Sequence, residues 1–295
     1  MSKEKNNRFI ERLDSKKKIL FSHDNYENEI FSLYKEAYEQ CYVFRGLSND
    51  EEILSGVIRK CKQKGGKTVG DIRKYESLVL EKFSRFSMQY LPYYETTIDW
   101  LAAAQHYGLP TRLIDWTYNV DVGLFFALGK ATKTTKEPNS SYLIVCKLNE
   151  KRIIDDFDDY HGRWIDSDPR SKKDILIENY KNIDKGGFSE LNKQSDSSTD
   201  NICFIKGNGA NPRIIRQEGL FQIDRVDGDD EELIDEYENR CSNQYINVIE
   251  KVYIIPHELK TKLREFLNKK GVNKLKLFPD LQNICDYIIE STSVK

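Results

Sequence analysis

No run of apolar residues in this chain approaches the roughly 20 that a membrane span needs, so no transmembrane helix is expected. The N-terminal Met1-Ser2-Lys3-Glu4-Lys5-Asn6-Asn7 has no apolar stretch behind it, which argues against a secretory signal and makes a cytoplasmic protein the expectation. The six cysteines, Cys41, Cys61, Cys146, Cys203, Cys241 and Cys285, include no close pair, so neither a zinc knuckle nor a disulfide framework is suggested and buried thiols are expected. The four histidines, His23, His106, His161 and His257, lie near neither one another nor a cysteine. A dedicated His or Cys metal site is therefore not expected, while a magnesium site built from carboxylates has no fixed spacing to read. A Walker loop and a GxSxG elbow are both missing. A net charge of -2 excludes a uniformly basic nucleic-acid coat, though not a local basic patch. No internal repeat is present.

What is present suits a folded core: 295 residues, 39% of them hydrophobic, with 17 Tyr and 14 Phe. Residues 1–22 hold seven Lys or Arg against three acids, which reads as a solvated helix face or as an arm that touches nucleic acid. Tyr26, Ile30, Leu33, Tyr34, Ala37 and Tyr38 recur at helical spacing behind the cap candidates Asp24 and Asn25. Cys41 to Gly46 is β-prone and ends in Arg45-Gly46, which places the planar guanidinium of Arg45 to reach a pocket or to form a structural salt bridge. From Val69 to Tyr90 the apolar residues return every three or four positions, with Asp71 as cap candidate.

Thr97 can cap a helix that Gly108 and Pro110 stop just after His106. Asn119 to Ala131 is apolar almost all round, as in a deeply buried helix. Further strands are expected at 142–147, 202–206, 219–226 and 247–255, and helices after Pro256 as far as Gly271 and from Pro279 to Glu290. Residues 155–200 are polar and insertion-like, with one helix expected near 173–182; the acidic runs at 155–159 and 227–236 read as solvated, and Gly207-Asn208-Gly209 as a loop.

The richest chemistry lies in Gln105-His106-Tyr107-Gly108-Leu109-Pro110-Thr111-Arg112-Leu113-Ile114-Asp115-Trp116-Thr117, read as a turn between two buried helices. His106 with Asp115 orienting one ring nitrogen can act as general acid or base, and Arg112 can hold an anionic group. The bland alternative pairs Arg112 with Asp115 as a brace and leaves His106 capping the helix C-terminus, where a cation is favoured.

These residues resemble the FRG-domain family, named for the Phe-Arg-Gly found here as Phe44-Arg45-Gly46. The resemblance extends over Gln105 to Leu113, Asp115-Trp116-Thr117 and Phe126-Ala127, then Arg213-Ile214, Gln217, Gly219-Leu220-Phe221, Ile255-Pro256 and Leu277-Phe278-Pro279-Asp280. It departs at Ser55-Gly56-Val57-Ile58-Arg59, where the family has a Pro-Ser-Leu type segment before an Arg. The family implies bacterial or phage effectors in defence or toxin systems and no settled reaction.

Two readings follow. In the first, an effector-type enzyme acts on a phosphate-bearing nucleotide or nucleic acid, by ADP-ribosyl transfer from NAD or by phosphodiester cleavage. His106, Asp115 and Arg45 are then the catalytic candidates, and Gln105, Thr111, Arg112, Arg213 and Gln217 bind substrate. An Arg closing an early strand is what one class of ADP-ribosyl transferases uses, although no Ser-Thr-Ser strand follows here. In the second, the same pocket binds a nucleotide, a nucleic acid or a phage protein without turnover. No cofactor is assigned beyond NAD as a substrate, and no membrane partner is expected. The fold expected is α+β: a mixed or mostly antiparallel sheet with helices packed on one side. A helical segment at 1–40 is expected to pack on a domain spanning 41–290.

Overall fold

Eight strands among the described residues build one sheet: β1 (Lys18–Leu20), β2 (Tyr42–Leu47), β3 (Leu113–Thr117), β4 (Ser141–Lys147), β5 (Ile153–Ile154), β6 (Cys203–Lys206), β7 (Gly219–Ile223) and β8 (Ile249–Ile255), in the order β1-β8-β4-β2-β3-β7-β6-β5. The computed structural model describes residues 9–91, 97–129, 139–148, 153–154, 203–206, 212–224, 226 and 229–292. The polar segment 155–200 with His161 and its expected helix, Gly207-Asn208-Gly209 and Arg225 lie outside them. All pairings are antiparallel except β1 with β8 and β5 with β6, so the fold is the expected α+β with a mixed, mostly antiparallel sheet.

Two strands differ from expectation. The stretch Leu113–Thr117 is no turn but β3, paired along its whole length with β7 and lying in the middle of the sheet. Its alternation explains why: Ile114 and Trp116 enter one core, Leu113 another, and Asp115 is left exposed. The basic N-terminal stretch is likewise not an α-helix within the described residues. Ile10–Arg12 and Ser15–Lys17 are 3-10 turns, and Lys18–Leu20 adds a parallel strand beside β8, which makes this segment part of the sheet.

The helices that matter for the site are α1 (Tyr26–Gln40), α2 (Gly56–Gln63), α3 (Val69–Ser87), α4 (Thr97–His106), α5 (Val120–Leu128), α6 (Pro212–Arg216), α7 (Ile234–Val248), α8 (Lys260–Lys269), α9 (Lys274–Leu277) and α10 (Leu281–Ser291). Thr68, not Asp71, is the N-cap of α3; Asp71 is the third residue of a reciprocal capping box with it. Asn119 caps α5 by accepting from the amides of Asp121 and Val122. Gly108, at φ 85°, ends α4 with the Leu109 amide donating to the Ala104 carbonyl, a turn that only a residue at ease with positive φ completes without strain.

Helices do not cover one side alone. On the front face, α1, α5 and α8 pack on Phe44, Leu143, Val145 and Tyr253, while α4 packs on Leu113, Phe221 and Ile223. The back face carries Val43, Leu47, Ile114, Trp116, Ile144 and Val252, covered by Phe9, Ile10, Leu13, Ile53 and Tyr245 of α7. Central strands apolar on both faces need burial on both, which the one-sided arrangement did not provide. Of the cysteines, Cys61, Cys146 and Cys241 are buried as expected, whereas Cys41 and Cys285 are exposed.

Candidate functional site

The Phe-Arg-Gly triplet sits where β2 meets β3, and each residue has a separate job. Phe44 faces the front core. Gly46 lets α5 lie directly on the strand: a Cβ there would come within 2.1 Å of the Ala127 nitrogen and 2.3 Å of the Gly123 oxygen. Gly123 answers from the helix, since a Cβ on it would press to 2.8 Å against both Phe44 and Leu143. Helix and strand therefore approach backbone to backbone, and β3 runs beside this contact with α4 over its other flank.

Asp115 projects from β3 on the front face. The amide Nε2 of Gln105, on the last turn of α4, donates to Asp115 Oδ1 at 2.7 Å, and the Thr111 hydroxyl donates to Gln105 Oε1 at 2.5 Å. Thr111 is buried, so a core residue holds Gln105 and Gln105 holds the carboxylate. Asp115 keeps surface open to solvent while neighbouring protein crowds it on its other sides. Burial raises its carboxyl above the usual range, against the pull of Arg45, Arg213 and the Gln105 hydrogen bond.

Arg213, on α6, stacks on the Phe278 ring with its guanidinium carbon 4.2 Å from the centroid, and its Nη1 donates to the His106 carbonyl at 3.3 Å. It thus occupies the C-terminal end of α4, the position where a protonated His106 was the alternative expectation. His106 is driven the other way: burial, then the charge of Arg213, lowers its pKa, with Asp280 opposing. Its Nδ1 is buried without a hydrogen-bond partner, and its ring meets Tyr107 edge-on at 4.9 Å. Asp280 caps α10 through Asn283; burial acts against its ionisation, but those hydrogen bonds and Arg213 leave its carboxyl below the usual range. Phe278 also packs edge-on against Phe126, with centroids 6.0 Å apart, and lies 6.2 Å from Phe125.

Arg45, His106, Asp115, Gln105, Thr111 and Arg213 are therefore connected, directly or through one partner. Arg45 Nη1 donates to the backbone carbonyl of Asp115 at 2.5 Å. Two expected members are elsewhere. Arg112 is 2% exposed and pairs with Glu76 of α3, its Nε 2.7 Å from Oε2 and its backbone amide 3.0 Å from Oε1, so it braces the core and offers nothing to a substrate. Strand alternation is the cause, since it points Arg112 and Asp115 to opposite faces. Gln217 donates to the Leu277 carbonyl at 3.1 Å, and its own carbonyl accepts from the Thr117 hydroxyl at 2.6 Å; these bonds fasten α6 to β3 and to the segment that carries Phe278. Asp115 also does not orient His106, because Gln105 takes the carboxylate oxygen instead. Phe278 and Asp280 were recognisable only as parts of a matched motif, and the role of Glu76 carried no signal in a helix of ordinary charge.

Fold and contacts together define an α+β protein with a polar cluster on the front face of its sheet, assembled from residues far apart in the chain. The FRG domain family model matches residues 40–136, the stretch that holds β2 through α5, so this part of the chain is similar to the FRG domain. Arg213, Phe278 and Asp280 join the cluster from beyond the matched segment. No curated protein and no solved structure matches the chain.

Proposed function

We propose that this polar cluster binds a phosphate-bearing nucleotide or nucleic-acid end and cleaves or transfers part of it. One observation carries this reading: a guanidinium backed by an aromatic ring, a carboxylate held by a buried relay, and an imidazole kept neutral meet in one cluster. Arg213 would hold phosphate, with its stack on Phe278 limiting the conformations it gives up on binding. Asp115 would accept hydroxyls of a ribose, and the partly exposed rings of Phe125, Phe126 and Phe278 suit the face of a base. His106, neutral at pH 7, would take the proton of the attacking water or acceptor hydroxyl as the new bond forms, and the leaving group departs with the electron pair of the bond that breaks. NAD, split at its glycosidic bond, and a phosphodiester both fit this scheme. A part in defence or toxicity rests on the family resemblance alone.

Calorimetric titration with NAD, ADP-ribose, ATP and a short single-stranded oligonucleotide, with products followed by mass spectrometry, tests the reading. Binding of at least one of them is expected, with affinity reduced about tenfold or more in Arg213→Ala. His106→Ala should bind and yield no product. Turnover preserved in His106→Ala, or no binding by any of the four, overturns it; binding without product in the native protein would make the cluster a sensor. Growth arrest on expression of the native chain but not of His106→Ala tests the toxin role.

A further inference from the structure

The β2–β3 seam gives the Arg of Phe-Arg-Gly a role that differs from holding substrate. β2 pairs with β4 over six residue pairs and β3 with β7 over five, yet β2 and β3 share only Phe44 with Thr117. Past that pair, in the middle of the sheet, the ladder between them stops. Central strands that part leave backbone groups in need of partners. Arg45 Nη1 supplies one, donating to the carbonyl of Asp115 two residues beyond Thr117 along the open seam.

Strand alternation separates the two side chains. Phe44 and Thr117 are register partners and share the front face, so Asp115, two residues from Thr117, also faces front. Arg45, next to Phe44, starts on the back face with Val43 and Leu47, where its charged and polar neighbours are Tyr245, Arg59 and Glu51. Its guanidinium reaches into the seam and meets the backbone of Asp115 from behind, while Gln105 and Arg213 meet the side chain from the front.

We infer that Arg45 is a positioning residue: it pins the β3 backbone at Asp115 across the open seam from behind the sheet, without touching the ligand. Among the described residues the charged groups facing Asp115 are Arg45 from β2 and Arg213 from α6; Gln105 from α4 is neutral, and Asp280 faces Arg213. The rival assignment sends Arg45 Nε, buried and unbonded, to a ligand oxygen.

The proposal rests on the geometry of Asp115 rather than on the nature of the substrate, so it can be tested without ligand. In the full chain labelled at the aspartate carboxyl carbons, the Asp115 resonance is assigned by its loss in Asp115→Asn and titrated by NMR. Arg45→Gln should move its midpoint upward by about one pH unit, whereas Arg45→Lys, which keeps the charge, should move it by only a few tenths. Backbone exchange over 113–117 should quicken about tenfold in Arg45→Gln, with the rest of the sheet unchanged. An unmoved midpoint in Arg45→Gln overturns the inference. If Arg45→Gln does not fold, Arg45→Lys carries the test: native exchange over 113–117 together with affinity for ADP-ribose lost equally at every pH would assign Arg45 to the ligand. A failure of all nucleotides to bind would strike the proposed function and leave this titration standing.

Discussion

Arg112 and Glu76 face each other inside the protein, each side chain 2% exposed, and Glu76 also accepts the backbone amide of Arg112. This ion pair lies between α3 and the residue that leads into β3. Immediately before it, Thr111 starts the relay to Gln105 and Asp115. The brace therefore supports the polar cluster from within the core without joining it.

Breaking that pair should be costly, because the surviving partner is left charged and buried. Arg112→Ala is expected to lose about 3–5 kcal/mol, which is a fall of roughly 10 °C in Tm for a chain of this size. A volume-conserving apolar pair, Arg112→Met with Glu76→Leu, should recover most of the loss. Thermal unfolding of the three proteins decides it. A pair that contributed nothing would leave Arg112→Ala within about 1 kcal/mol of the native protein, as exposed pairs do.

Gly46→Ala adds one methyl where α5 already touches the strand. No flexible side chain can yield there, since the nearest atoms are the backbone of Ala127 and Gly123. Either the helix lifts or the strand bends, and a loss of roughly 3 kcal/mol or more is expected, read by chemical denaturation. Gly56→Ala meets its nearest atoms at 3.5 Å and has no such conflict, so it serves as the control.

Asp121, on the first turn of α5, accepts from the Tyr34 hydroxyl of α1 and from Lys270 just past α8, at 2.5 Å in the second case, so three front-face elements converge on one carboxylate. Burial, together with the Asp121 bond, pushes the Tyr34 hydroxyl far above its usual range, so it stays a donor throughout the working pH range. Asp121→Ala should cost roughly 2 kcal/mol and Tyr34→Phe about 1 kcal/mol. Double-mutant analysis should show the two effects to be non-additive; simple additivity would mean that Tyr34 and Asp121 do not act together.

Much of this fold follows from periodicity. α1, α3 and α5 carry unbroken helical spacing, and β4 and β8 are continuous apolar runs, so their positions are legible to within a few residues. β3 is not, because Leu113-Ile-Asp-Trp-Thr is short and its alternation is masked by a central Asp, a residue that strands disfavour. Missing that strand also hides the site's logic: without it, Arg112 and Asp115 look like neighbours on a loop instead of residues on opposite faces. Arg213 and His106 are both site candidates by sequence, but their contact spans 107 positions, and no local pattern reports a contact of that kind. The Phe278 ring beneath Arg213 is invisible for the same reason.

His106 links the fold to a pH dependence whose sign can be worked out. Burial and then Arg213 hold its folded-state pKa below the ordinary histidine value, near which it titrates in the unfolded chain. Between the two, the unfolded state binds the extra proton and the folded state does not, so stability rises with pH in that window. Acidifying the protein from pH 7 should therefore reduce stability as the pH falls through the usual histidine range, and the loss should level off once the folded-state imidazole also protonates. Arg213→Gln removes the second cause and should flatten the slope, and His106→Gln should abolish this contribution. If His106 is the proton acceptor of the proposed reaction, the same shift places the acid limb of turnover below the usual histidine range, and that limb moves upward in Arg213→Gln. Unfolding curves recorded from pH 5 to 7.5 on the three proteins measure the stability term; a native-minus-His106→Gln slope of the opposite sign would show that His106 is favoured as a cation at the end of α4 after all.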